Sequence, residues 1–133
     1  MRAHEPCRHC YPMLTKQALT DLSLDCAQSG RWFFSDEIYH WLTYSQEAVS
    51  ALQVGDHDGL IVMNSFSKYF SMTGWRIGWM IVPPKMVRPV ERLQQNLFIS
   101  APTLSQYAAC AALTTAAQDE LQKHVELYQH NRD

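Results

Sequence analysis

The sequence predicts an α/β fold, with about three sheet strands and flanking helices. Residues 60–63, Leu-Ile-Val-Met, make a short continuous apolar run of the kind that forms a buried strand, and the chain then switches to small polar residues at Asn64. Residues 32–34, Trp-Phe-Phe, make a second apolar run with the bulk that suits a strand. Between residues 15 and 29 and after residue 84 apolar residues recur at helical spacing.

The elements follow in chain order. Residues 1–14 hold two prolines, two cysteines and two histidines and show neither helical nor strand period. Thr15 is placed to cap a helix in which Leu19, Leu22, Cys26 and Ala27 share a face and Leu24 adds a further apolar residue; Gly30 supplies its stop. The first strand follows at 32–34 and ends at Ser35-Asp36. Residues 40–44 are aromatic and β-rich, and the stretch 46–59, with Gly55, Asp56, Asp58 and Gly59, reads as a loop. The second strand occupies 60–63 and a third 77–82, closed by Pro83-Pro84. The gap from Met63 to Ile77 is too short for a helical crossover, so the third strand is expected to run antiparallel to the second. A helix over 85–98 carries Met86, Val90, Leu93 and Leu97 on one face, with Pro89 near its first turn. Ser100-Ala101-Pro102 breaks it. An Ala-rich helix runs from Thr103 or Ser105 through Ala117, and a last one from Glu120 carries Leu121, Val125 and Tyr128.

The totals narrow the function classes. The chain has 133 residues, enough for one domain; 47% are hydrophobic and 18% charged, a globular balance rather than a disordered one. The net charge of −2 offers no polyanion-binding surface, so no nucleic-acid partner is expected. No apolar run reaches membrane-spanning length and the first residues lack the apolar core of a signal peptide, so the expectation is a cytoplasmic protein with no membrane partner. Cys26 and Cys110 read as small buried apolar residues. Cys7-Arg8-His9-Cys10 has the spacing of half a zinc site, but no second ligand pair follows, and Tyr11-Pro12 interrupts a redox context; no metal is expected.

The chemistry concentrates after the second strand. Asn64-Ser65-Phe66-Ser67-Lys68 is followed eight residues later by Arg76, flanked by Gly74 and Gly78. Ligand sites of open α/β sheets lie at such carboxyl ends of strands. A lysine there is a potential nucleophile towards a carbonyl carbon, and two hydroxyls with a guanidinium fork suit a phosphate. A lone lysine after a strand is more often a solvated surface charge. Ser-x-x-Lys also surrounds serine nucleophiles of penicillin-binding enzymes, but their Ser-Asp-Asn and Lys-Thr-Gly elements are missing from this sequence. At the end of the first strand stand Asp36 and Tyr39, three residues apart. Alone they read as a turn cap and a packing ring.

Taken together, Asp36-x-x-Tyr39, Ser65-Phe66-Ser67-Lys68 and Met72-Thr73-Gly74-Trp75-Arg76-Ile77-Gly78-Trp79 resemble the fold-type I pyridoxal-phosphate enzymes, most nearly the aminotransferases of class I and II. The resemblance implies pyridoxal 5′-phosphate as cofactor. It implies Lys68 as the catalytic residue, forming the internal aldimine and then moving the substrate α-proton. Ser65, Ser67 and Arg76 would hold the phosphate, Asp36 the ring nitrogen and Tyr39 the ring oxygen. A buried carboxylate at Asp36 would keep that nitrogen protonated, which the ring needs to act as an electron sink. The implied substrates are an amino acid and a 2-oxo acid, and a homodimer is implied for the complete family member.

The resemblance covers about residues 15–133, part of the family's large domain, with residues 1–14 irregular and not family-like. The Asn-Pro-x-Gly segment that the family carries before this first helix reads Cys10-Tyr11-Pro12-Met13-Leu14 here, and the small domain has no counterpart. The expectation is therefore an incomplete chain, inactive alone. The alternatives are a non-catalytic remnant or binding module, or another fold-type I enzyme such as a carbon–sulfur lyase.

Overall fold

A computed structural model describes residues 13–44, 47–55 and 58–132. Helix α1 (Lys16–Gln28) begins where expected, with the Thr15 hydroxyl accepting from the Ala18 amide at 3.2 Å. It ends on Gly30, whose φ of 63° lets the Gly30 and Arg31 amides turn back onto the carbonyls of Ala27 and Cys26. Strand β1 (Phe33–Asp36) then pairs in parallel with β2 (Leu60–Ser65), Phe33 opposite Leu60 and Asp36 opposite Met63. Among the described residues of the connection between them, the one helical element is a short 3₁₀ turn, Ala51–Gln53, capped by Ser50. Residues 38–41 form a turn rather than the β-rich stretch expected at 40–44, because the Glu37 and Tyr39 carbonyls accept the amides of His40 and Leu42.

Strand β3 (Gly78–Ile81) returns antiparallel to β2, completing the three-stranded sheet in the order β1-β2-β3. The antiparallel return expected for the third strand is thus the one observed. The central strand is buried on both faces, which is why Leu60, Ile61 and Val62 read as an unbroken apolar run. Leu60 and Val62 pack with Leu19 and Ala51. A separate cluster gathers Phe66, Phe70 and Met72 from the segment after β2 with Ala109 and Leu121 from the later helices.

Helix α2 (Pro84–Leu97) buries no residue fully. Met86 and Val90 are half-buried, while Leu93 and Leu97 are each 61% exposed, so only the first half of the expected apolar face meets the body. Pro89 is the sixth helical residue rather than part of the first turn, and the bond its missing N–H would make to the Lys85 carbonyl is lost. The Ala-rich stretch is divided earlier than expected, into α3 (Thr103–Ala112) and α4 (Thr115–Arg132). The break follows from Thr114, whose hydroxyl donates back to the Ala111 carbonyl at 2.8 Å and accepts from the Ala117 amide at 3.4 Å. Cys26 is half-buried and Cys110 exposed, which corrects the expectation that both are buried; one lies on the rim of a cavity and the other on an outer face of α3. Cys7 and Cys10 lie outside the described residues. Among those residues no helix is long and apolar enough to cross a membrane, and no group of three or more His, Cys, Asp or Glu is placed to hold a metal ion.

Gly78 sets how closely β3 approaches β2. A Cβ at this position would sit 2.7 Å from the Asn64 carbonyl oxygen, a backbone atom with nowhere to go. Gly78→Ala is expected to destabilise the fold by about 1–3 kcal/mol, the usual cost of overpacking. Urea unfolding followed by tryptophan fluorescence checks this, and an unchanged midpoint would show that β3 shifts freely.

Candidate active site

Parallel pairing brings the carboxyl ends of β1 and β2 to one edge of the sheet, and nearly every sequence-predicted residue lies there. Asp36 is the last residue of β1 and Ser65 the last of β2. The turn after β1 carries Tyr39 and the turn after β2 carries Lys68, and the Lys68 ammonium lies over the Tyr39 ring, 5.5 Å from its centroid. Aromatic contacts bind the two turns: Trp41 lies 5.7 Å from both Tyr69 and Phe70 and 6.2 Å from Trp79, and Phe66 packs on Phe70 at 4.6 Å.

A polar network joins the remaining residues. The Ser65 and Ser67 hydroxyls are 2.9 Å apart, and the Ser67 amide donates to the Ser65 hydroxyl at 3.0 Å. Thr73 donates its hydroxyl to the Ser67 carbonyl at 2.6 Å, and the Thr73 carbonyl accepts from Nη1 of Arg76 at 2.9 Å. Arg76 itself sits in left-handed backbone, φ 50°, which a β-carbon-bearing residue adopts at a cost of about 1–2 kcal/mol. Ser105, buried at the start of α3, donates to the Trp75 carbonyl at 2.6 Å and ties the loop to that helix. Neither Lys68 nor Arg76 forms an ion pair among the described residues. Two exposed cations and a pair of hydroxyls on adjoining turns make an anion-attracting edge.

Asp36 departs from expectation. It is exposed rather than buried, its Oδ1 accepting the Ile38 amide at 3.2 Å, because β1 is the outer strand of the described sheet and its side chains alternate between half-buried and exposed. It shares a shallow cleft of about 280 Å³ with Tyr39, Leu19 and Leu42. A larger cavity, about 580 Å³, opens at the opposite end of the strands beside Phe33, Leu60 and Lys85, away from this chemistry.

Three residues of the site went unread in the sequence. Thr73 links the serines to Arg76. Asn64 accepts the Ser65 amide at 2.7 Å. Glu37 is the third, its carboxylate 10% exposed and placed between the turn after β1 and the 3₁₀ turn. The only available signal was their position inside the two motifs.

The family model for aminotransferases of class I and II matches residues 12–133. The chain belongs to that family. Its members depend on pyridoxal 5′-phosphate. The chain is 40% identical over 102 residues to (5-formylfuran-3-yl)methyl phosphate transaminase of Methanocaldococcus jannaschii, covering 76% of this chain and 28% of that protein. It is 36% identical over 131 residues to arginine–pyruvate transaminase of Pseudomonas aeruginosa, covering 98% and 32%. Among solved structures, an aminotransferase from Mycobacterium tuberculosis superposes with a TM-score of 0.81 at 39% identity, over 87% of this chain and 32% of that one. Aspartate aminotransferase from Thermus thermophilus with maleate superposes with a TM-score of 0.84 at 30% identity, over 90% and 31%. The chain thus spans about a third of the length of the relatives it matches.

The strain at Arg76 gives a test of what its side chain is for. Arg76→Gly relieves the left-handed backbone but loses one exposed hydrogen bond and frees the unfolded chain, effects of similar size. Stability is expected to change by less than about 1 kcal/mol in urea unfolding. A loss above about 2 kcal/mol would mark the guanidinium as a structural tie rather than a ligand-binding group.

Proposed function

We propose that this chain is part of a pyridoxal 5′-phosphate-dependent aminotransferase that moves an amino group between an amino acid and a 2-oxo acid, with residues 15–133 contributing to its large, cofactor-binding domain. The observation that carries the proposal is the Lys68 ammonium over the Tyr39 ring, beside the linked Ser65, Ser67, Thr73 and Arg76. Family membership supports it. Two relatives named for pyruvate, the arginine–pyruvate enzyme and a valine–pyruvate aminotransferase of Mycobacterium tuberculosis, support a small 2-oxo acid as acceptor. The same membership supports a homodimeric, cytoplasmic enzyme of amino acid metabolism for the complete protein.

The donor set fits the cofactor. The bound cofactor supplies an electrophilic carbonyl carbon and a ring that withdraws electrons from the substrate α-carbon. Lys68 would hold that carbon through Nζ. The Lys68 amine, standing at the same edge, would be the group that takes and returns the substrate α-proton. The Ser65 and Ser67 hydroxyls and the Arg76 fork would bind the phosphate, and Arg76 has donors to spare beyond its bond to the Thr73 carbonyl. Asp36, exposed in this structure, would pair with the protonated ring nitrogen by charge, and Tyr39 would donate its phenol to the ring oxygen.

Two outcomes are expected. Mixing the protein with pyridoxal 5′-phosphate, reducing with borohydride and mapping peptides should place the label on Lys68, with Lys68→Ala losing it; a label on Lys16, Lys85 or Lys123 would overturn the assignment. In a cofactor titration, Arg76→Lys should weaken binding about tenfold, roughly 1.4 kcal/mol, since a point charge replaces a planar fork. Equal affinity would remove Arg76 from the phosphate site.

A further inference from the structure

We infer that Glu37 is a positioning residue whose carboxylate fixes Tyr39 against Lys68. The inference rests on the reading of Tyr39 and Lys68 as cofactor residues. Glu37 directly follows β1, and its amide extends the pairing with β2 by donating to the Met63 carbonyl at 2.8 Å. Its Oε1 accepts three hydrogen bonds, from the Ser35 hydroxyl at 3.1 Å, the Ser50 hydroxyl at 3.1 Å and the Ala51 amide at 2.8 Å. Its other oxygen lies 3.6 Å from Nδ1 of His40, whose ring meets Trp41 edge-on at 5.3 Å. One nearly buried carboxylate thus joins the end of β1, the 3₁₀ turn and the turn of residues 38–41.

Tyr39 stands on that last turn, which closes through the His40 amide donating to the Glu37 carbonyl at 2.9 Å. Tyr39 is itself 58% exposed, so side-chain packing does little to hold it. The turn is held at its base, by Glu37 and by the aromatic contacts of Trp41. Ala51 is fully buried against Leu19, Leu60 and Val62, so the carboxylate is anchored to a part of the core that does not move with the turn. The reach matters more than the charge. Glutamine keeps an oxygen at the same distance and sets an amide beside His40. Aspartate keeps the charge but is one methylene too short to span from the end of β1 to the Ala51 amide.

The test reads the Tyr39–Lys68 pair directly, first without cofactor. With the Lys68 Nζ 5.5 Å from the Tyr39 ring centroid, the adjoining ε-methylene protons are expected to feel the ring current, and Tyr39→Leu identifies the resulting shift in the NMR spectrum of the full chain. Glu37→Gln should keep that shift, whereas Glu37→Ala and Glu37→Asp should lose it while the β2 and α4 amide resonances stay in place. If Glu37→Ala does not fold, Glu37→Asp against Glu37→Gln decides. Loss of thermal stability with the Lys68 shift intact in Glu37→Asp would overturn the positioning role. Equal loss in Glu37→Asp and Glu37→Gln would do the same. A second arm adds pyridoxal 5′-phosphate and follows its absorbance. Glu37→Asp should weaken binding at least tenfold and Glu37→Gln by less than threefold. Failure of the unaltered protein to bind would count against the cofactor reading, and the cofactor-free shift would still decide the role of Glu37.

Discussion

The site depends on the parallel pairing of β1 with β2. Parallel strands end at the same side of a sheet, so the turns that leave them meet without any further element to bring them together. Here the register of Asp36 with Met63 puts the two turns level, and Tyr39 and Lys68 face each other as a result. A slip of one residue would reverse the faces of β1 and send Asp36 and Ser35 to each other's sides.

Two different physical ties then hold the two turns. The one after β2 is bound by hydrogen bonds, from Ser65 through Ser67 and Thr73 to Arg76, and by the close approach of Gly78 to Asn64. The one after β1 is bound by a carboxylate beneath it and by aromatic rings beside it. Hydrogen bonds fix distance and direction, while ring contacts tolerate small rotations. The arrangement therefore leaves the phosphate-type donors more sharply placed than the tyrosine ring, which stands exposed at the outer strand.

How much of this was legible in the sequence follows from what each feature depends on. The strands were read from apolar runs and the antiparallel return of β3 from a gap too short for a crossover, both local facts. The grouping of Lys68, Ser65, Ser67 and Arg76 was readable because it depends on spacing within one segment. The exposure of Asp36 was not readable, because it depends on what lies beside β1 and not on β1 itself. Glu37 was missed for the same reason: its partners Ser50 and Ala51 stand thirteen and fourteen residues away. The division between α3 and α4 was hidden by a run of alanines in which one threonine supplies the cap.

Helix α2 carries a consequence for how the molecule breathes. It buries no residue, it lacks the hydrogen bond at Pro89, and it hands over to α3 through Ile99, a β-branched residue at φ 64° and 83% exposed. Little apolar area and strained backbone at its exit give α2 a low free energy of local opening. Its amides are expected to exchange with solvent through excursions that leave the sheet intact, whereas those of β2 wait for the whole fold to open. Protection from exchange is then expected to fall along the chain from β2 to α2, with the anion-attracting edge on the slow side of that boundary.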